Sequence, residues 1–241
     1  MTLTHGPESP RAGRALSVNL GKAVATDHTS APGGRTGIDK YAVNSLTVRP
    51  PGPKESGQGS GVVGDHIGDQ RFHGGDNKAV YLFAREELDW WEVESGRPLR
   101  SGIFGENVTT VDLDVDDLVV GSRVAVGDPA SPRAVLTVAG PRIPCRTFAG
   151  HLGERQWIRR FTARGLTGAY CSVEVSGEIH TGDALTVVDV PGHGITVPQL
   201  FRALTGDLEL VEQVIRSGAL VGPELAQLAE SFERRTGRTP A

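Results

Sequence analysis

Cys145 lies in the stretch Pro141-Arg142-Ile143-Pro144-Cys145-Arg146, a thiol between two arginines and beside two prolines. Nearby cations favour the thiolate, which is the form that attacks electrophiles and ligates metals. The prolines stiffen the approach to the sulfur by fixing φ and restricting the residues before them. The alternative is a buried structural cysteine in an arginine-bearing loop, since free cysteine often packs as core. A second group of polar residues runs from Asp65 to Lys78 and holds Asp65, His66, Asp69, Arg71, His73, Gly74, Gly75 and Lys78. Its His73-Gly74-Gly75 corner lets backbone amides approach a ligand, because glycine takes φ > 0 without a Cβ clash; otherwise His73 bonds its own turn. Asn107, in Gly105-Glu106-Asn107, can offer a ligand fixed donors and acceptors or simply close a turn. Lys40 and Arg35 stand in a turn-rich loop that would otherwise read as a solvated loop.

Composition limits the alternatives. A chain of 241 residues allows one large β domain or one domain with an appendage. Its 32 glycines suit short strands and tight turns better than a helical bundle. A formal charge of −4 recommends no strongly basic surface for nucleic acid, and leaves room for a local basic pocket. Cys145 and Cys171 are the two cysteines, too few for a disulfide framework and without zinc-site spacing. Met1 to Ala15 lacks the apolar core of a signal peptide, and no apolar run reaches membrane-spanning length. The expectation is a soluble chain in the reducing cytoplasm.

The elements that must position these groups follow from patterning. Residues 1–15 read as a flexible Pro/Gly-rich tail. Leu16–Leu20, Val43–Val48, Leu118–Val126, Ala134–Ala139, Tyr170–Val175 and Ala184–Val188 read as strands, the last two as a hairpin. Arg85–Gly96 and His151–Arg164 read as helices. Gly59-Ser-Gly61-Val-Val-Gly64 has dinucleotide-fingerprint spacing but no flanking strand and helix pattern. Cys171 sits at a strand position that an apolar residue could fill. After Asp189 three amphipathic helical patterns appear, capped by Thr196 and Asp207 and started by Gly222-Pro223. The division expected is a tail (1–15), a β domain (16–189) and a three-helix extension (190–241).

Several segments, in order, resemble the MOSC family, named for the C-terminus of molybdenum-cofactor sulfurases, and in particular its YiiM-like subgroup. They are Thr36-Gly-Ile-Asp-Lys40, Gly64-Asp65 through Arg71-Phe-His73-Gly-Gly75, Lys78-Ala-Val-Tyr81, Phe104-Gly-Glu-Asn107, Pro141-Arg-Ile-Pro-Cys145 and Gly168-Ala-Tyr170 with Gly177 and Gly182-Asp183. The resemblance spans about residues 16–235. It implies a mainly β fold, a mostly antiparallel β-barrel with a few helices plus the C-terminal three-helix appendage. It also implies a pocket for molybdenum cofactor, with Cys145 as the metal ligand and with Cys145, His73 and Asn107 as catalytic residues. Lys40, Arg71, Gly74, Gly75, Asn107 and Arg142 would hold the phosphate-bearing pterin. Asp65 would hold a neighbouring loop or arginine. The implied activity is reduction of N-hydroxylated compounds such as hydroxylaminopurines and amidoximes. Electrons would come from a separate flavoprotein reductase, since no flavin, haem or iron–sulfur motif is visible. A homodimer is compatible with this reading; nucleic acid and membrane are not partners. Two alternatives remain, a sulfur carrier using a Cys145 persulfide and a non-catalytic store for the cofactor.

Overall fold

The computed structural model describes residues 11–240. The strands of its first half are β1 (Ala12–Gly21), β2 (Val24–Ala25), β3 (Arg35–Thr36), β4 (Lys40–Val43), β5 (Ser45–Val48), β6 (Val80–Ala84) and β7 (Val108–Val111). Those of the second half are β8 (Arg123–Val126), β9 (Ala134–Pro141), β10 (Ala169–Val175), β11 (Gly177–His180) and β12 (Ala184–Asp189). The helices are α1 (Gln70–His73), α2 (Arg85–Ser95), α3 (Arg146–Leu152), α4 (Trp157–Arg164), α5 (Val197–Thr205), α6 (Leu208–Ser217) and α7 (Gly222–Thr236).

Seven strands close a barrel in the order β12-β8-β9-β10-β6-β7-β1, and β1 returns to β12. The remaining half of β1 pairs with β4, Gly21 facing Lys40. Val18, Val80, Leu82, Val108, Val124, Leu136 and Leu185 fill the barrel. All barrel pairs are antiparallel except β6 with β7. That exception follows from α2, because parallel neighbours need a long crossover connection.

The structure corrects several sequence expectations. Residues 1–10 of the expected tail lie outside the described residues, but β1 already begins at Ala12, and its alternating burial starts there too. Tyr170–Val175 and Ala184–Val188 do not form a hairpin. β10 pairs with β6 and β9, β12 with β8 and β1, and the intervening segment is itself a strand, β11, paired with β5. The expected Val43–Val48 strand divides at Asn44, one half pairing with β1 and the other with β11. Only Arg123–Val126 of Leu118–Val126 is extended strand. The single helix expected over His151–Arg164 is two helices, because Gly153 caps α3 in the left-handed conformation at φ 67°.

The C-terminal helices follow their caps. Thr196 forms a capping box with Gln199, Asp207 accepts from the Leu210 amide, and Pro223 lies in the first turn of α7. Their inner faces, including Leu200, Val211, Val214, Leu228 and Phe232, make a separate apolar core. A third cluster, built from Trp91, Trp157, Phe104, Phe148 and Phe161, packs α2, α3 and α4 against the barrel, and Cys145 rests on its edge.

One buried carboxylate makes stability depend on pH. Asp116 is 6 % exposed and accepts from the Gly168 amide at 3.0 Å. Burial pushes it up from 3.8 to about 7. The folded state therefore holds this proton more tightly than the unfolded state, so the contribution of this group to stability falls as pH rises from about 4 to about 7. Asp116→Asn keeps an acceptor for Gly168. It should raise the melting temperature at pH 8, leave it nearly unchanged at pH 4, and remove up to roughly 4 kcal/mol of pH dependence. Parallel melting curves for the two proteins across pH 4–8 would show that Asp116 is not the cause.

Candidate functional site

The segments that flank the strands build one cleft. Its wall includes Lys40 from the start of β4, Asp65 from the loop after β5, and His73 from the end of α1. Lys78 precedes β6, Tyr81 lies on it, Asn107 precedes β7, Arg142 follows β9, Cys145 precedes α3, and Tyr170 lies on β10. Five residues singled out in the sequence therefore converge: Lys40, His73, Asn107, Arg142 and Cys145.

Asp65 is the hub of the inner wall. Its carboxylate accepts from Lys40 Nζ at 2.5 and 2.6 Å, from the Gly21 amide at 2.8 Å, and from Ser60 Oγ and Asn107 Nδ2 at 3.1 Å. It thus holds a lysine and a loop rather than an arginine. Burial pushes Lys40 below the ordinary lysine range, and Asp65 offsets part of that shift. The amide of Asn107 is mostly committed to the protein. Its Oδ1 accepts from the Tyr81 amide at 3.1 Å, and its Nδ2 faces Asp65 and the Asn19 carbonyl. Asn107 therefore fixes the register between β6 and the hub, with one acceptor lone pair left over.

Arg142 differs from the paired Lys40. It is 6 % exposed yet has no carboxylate partner among the described residues; Nη1 donates to the Phe104 carbonyl at 2.7 Å, and Nε has no partner among them. Its guanidinium sits 4.1 Å from the Phe148 ring centre and 5.1 Å from that of Tyr81. A buried cation is costly unless paired and hydrogen-bonded, so this arrangement fits an anionic ligand that completes it. His66 Nε2, also on the cleft wall, is a second buried polar atom without a partner. Burial, then Arg142 and Lys78, push His73 down to about 4. It is a neutral imidazole at pH 7, able to donate or accept one hydrogen bond. Tyr170 stacks on Tyr81 with ring centres 4.8 Å apart and offers a flat wall.

Cys145 is the N-cap residue of α3, and its carbonyl accepts from the Ala149 amide at 3.0 Å. Of its two flanking arginines only Arg142 lines the cleft; Arg146 reaches the Asp27 carbonyl instead. Cys171, 0 % exposed, is pushed up to about 12 by burial and stays a thiol in the barrel core. Three further residues named from the sequence lie off the cleft wall. Arg71 pairs with Asp69 through two contacts of 2.8 Å and lines a separate depression with Lys54, Glu55 and Gln70. Gly74 packs on Gly59, and Gly75, at φ 94°, gives its amide to the Gly59 carbonyl at 3.2 Å. The corner's conformational freedom serves close packing of two loops.

Sequence reasoning gives no site role to His66, Tyr81 or Tyr170. His66 is one polar residue among many in its segment, Tyr81 sits in the apolar run Ala79–Ala84, and Tyr170 in an alternating strand.

Residues 69–186 match the family model described as the MOSC domain. The chain is a MOSC-domain protein. Among relatives of this MOSC protein, the uncharacterized YflK of Bacillus subtilis is 29% identical over 208 residues, 85% of this chain and 88% of YflK. A Gibberella moniliformis protein described as a reductase is 24% identical over 160 residues, 64% of this chain but 28% of that protein. The crystal structure of YiiM from Geobacillus stearothermophilus has the same fold: TM-score 0.67, 24% identity, 92% of this chain and 98% of that one. Among the described residues, no helix is long and apolar enough to cross a membrane.

The donor set suits the cofactor that the family name brings in. Arg142 lacks a counter-ion, Tyr170 offers a ring face, and Cys145 offers one soft sulfur. Among the described residues, no group of three or more His, Cys, Asp and Glu side chains is placed to hold a metal alone. A metal in this cleft would take one protein sulfur and its other ligands from the cofactor.

Proposed function

We propose that this protein binds molybdenum cofactor in the cleft and reduces N-hydroxylated compounds, hydroxylaminopurines and amidoximes among them. The observation that carries the reading is Arg142, buried beside Cys145 with, among the described residues, no carboxylate partner and an orphaned Nε. The relative described as a reductase supports the reaction class.

The bound cofactor would supply a metal centre that exchanges electrons in pairs. The chain's residues do the rest. Cys145 offers the sulfur ligand. Arg142 and Lys78 attract the anionic part of the cofactor, and Tyr170 stacks against a flat ring. Neutral His73 holds the substrate by a single hydrogen bond. Lys40 and Asn107, both anchored on Asp65, keep the inner wall rigid. Converting N–OH to N–H consumes two electrons and two protons and releases water. The electrons come from a separate reductase, of the flavoprotein class, and the setting is the cytoplasm, which keeps Cys145 reduced. Association as a homodimer fits this reading.

Metal analysis tests it. Protein made with molybdate in a cofactor-competent host should carry about one molybdenum per chain and reduce benzamidoxime with an artificial donor. Cys145→Ser should lose both. Wild-type protein that holds no molybdenum but forms a persulfide on Cys145 is a sulfur carrier. Loaded protein without turnover is a store.

A further inference from the structure

The last helix of the extension touches the short turn that carries a cleft residue. α7 packs Leu228 and Phe232 into the extension's own core, and its N-cap residue Val221 makes no side-chain capping bond. Its first turn meets the barrel instead: Asn77 Nδ2 donates to Glu224 Oε1 at 2.8 Å. Asn77 belongs to the short turn Asp76–Lys78, and the next residue, Lys78, lines the cleft. One N–H of Lys78 goes to the Phe72 carbonyl at 2.7 Å. Among the described residues, no carboxylate is in hydrogen-bonding contact with the ammonium. Burial and the neighbouring Lys54 both disfavour its charge, and Glu224 is the carboxylate that opposes them most.

We propose that Glu224, delivered by the C-terminal extension and fixed by Asn77, is the counter-ion of Lys78 at the cleft rim and opposes the binding of anionic ligands there. The extension thereby contributes a residue to the site. The hydrogen bond from Asn77 restrains this carboxylate when a second anion approaches Lys78, so the two compete for one cation. Neutral ligands feel no such competition. Glu224 is exposed, so the effect is modest and screened by salt. The inference rests on the cleft being an anion site, but it needs no molybdenum.

The test is calorimetric titration of inorganic pyrophosphate into the full-length chain, made in a host that lacks the cofactor. Glu224→Gln should bind about two- to fivefold more tightly than wild type at low salt, and the gain should shrink as salt rises. The gain should vanish when Lys78 is changed to Met in both proteins. Asn77→Ala should give part of the same gain by releasing Glu224. Unchanged or weaker binding by Glu224→Gln overturns the proposal. So does a gain that survives Lys78→Met, or the absence of pyrophosphate binding in both proteins. A wild type that never acquires molybdenum refutes the reductase reading and leaves these outcomes intact.

Discussion

Arg142→Met is expected to weaken cofactor binding by about 100-fold or more while leaving the melting temperature within a few degrees of wild type. Both halves follow from the missing counter-ion. In most buried ion pairs, removing one partner strands the other charge, at a cost of about 3–5 kcal/mol. Arg142 has no such partner to strand. Its loss removes one hydrogen bond to the Phe104 carbonyl and a stacking contact with Phe148, but it also ends the desolvation cost of a buried guanidinium. Methionine fills much of the same space. For an anionic ligand the loss is direct, because breaking a buried hydrogen-bonded charge pair costs roughly 2–5 kcal/mol of affinity. Molybdenum content and thermal melts on the same preparations separate the two effects. A variant that unfolds many degrees early would make Arg142 a structural residue and remove the main support for the proposed function.

Asp65→Ala should be the most destabilising single change in the inner wall. It leaves Lys40, 4 % exposed, as an unpaired cation and strands the donors of Gly21, Ser60 and Asn107. The expected loss is about 3–5 kcal/mol. Lys40→Met alone should cost less, and adding it to Asp65→Ala should restore a large part of the stability, because the stranded charge is then gone. Denaturant unfolding of the four proteins gives the coupling directly. Additive losses in the double variant would show that the pair is not the source of the cost.

The two predictions also mark where the sequence speaks and where it does not. Cys145, Arg142, His73, Lys40 and Asn107 are visible as residue types at punctuated positions, between prolines and glycines, and the cleft gathers all five. Their division of labour is not visible. Asn107 reads as a ligand donor from its type, yet its amide is bound by Tyr81, Asp65 and Asn19. Arg71 reads as a phosphate contact, yet Asp69, two residues away, already pairs with it as the N-cap of α1. Both outcomes depend on which partners the fold supplies, and periodicity carries no record of that. The barrel's pairing shows the same limit. β10, β11 and β12 follow one another in sequence with turn residues between them, and local patterning favours a hairpin, but each finds its partner elsewhere. The helical extension was the most legible part because its caps are local.

Barrel closure has a consequence for when the proposed cofactor could be taken up. Lys40 on β4 and Arg142 after β9 are five strand steps apart in the sheet order, about 24 Å on a flat sheet at roughly 4.8 Å per step. They share a wall only because the sheet curls and β1 meets β12, pairing Ala12 with Thr186 across nearly the whole barrel sequence. Contacts of such separation carry the largest loop-closure entropy and form late. A nascent or partly folded chain therefore presents the cleft's residues without the cleft. Uptake of the proposed cofactor would mark the completed fold, and its rate on refolding should follow the closing step.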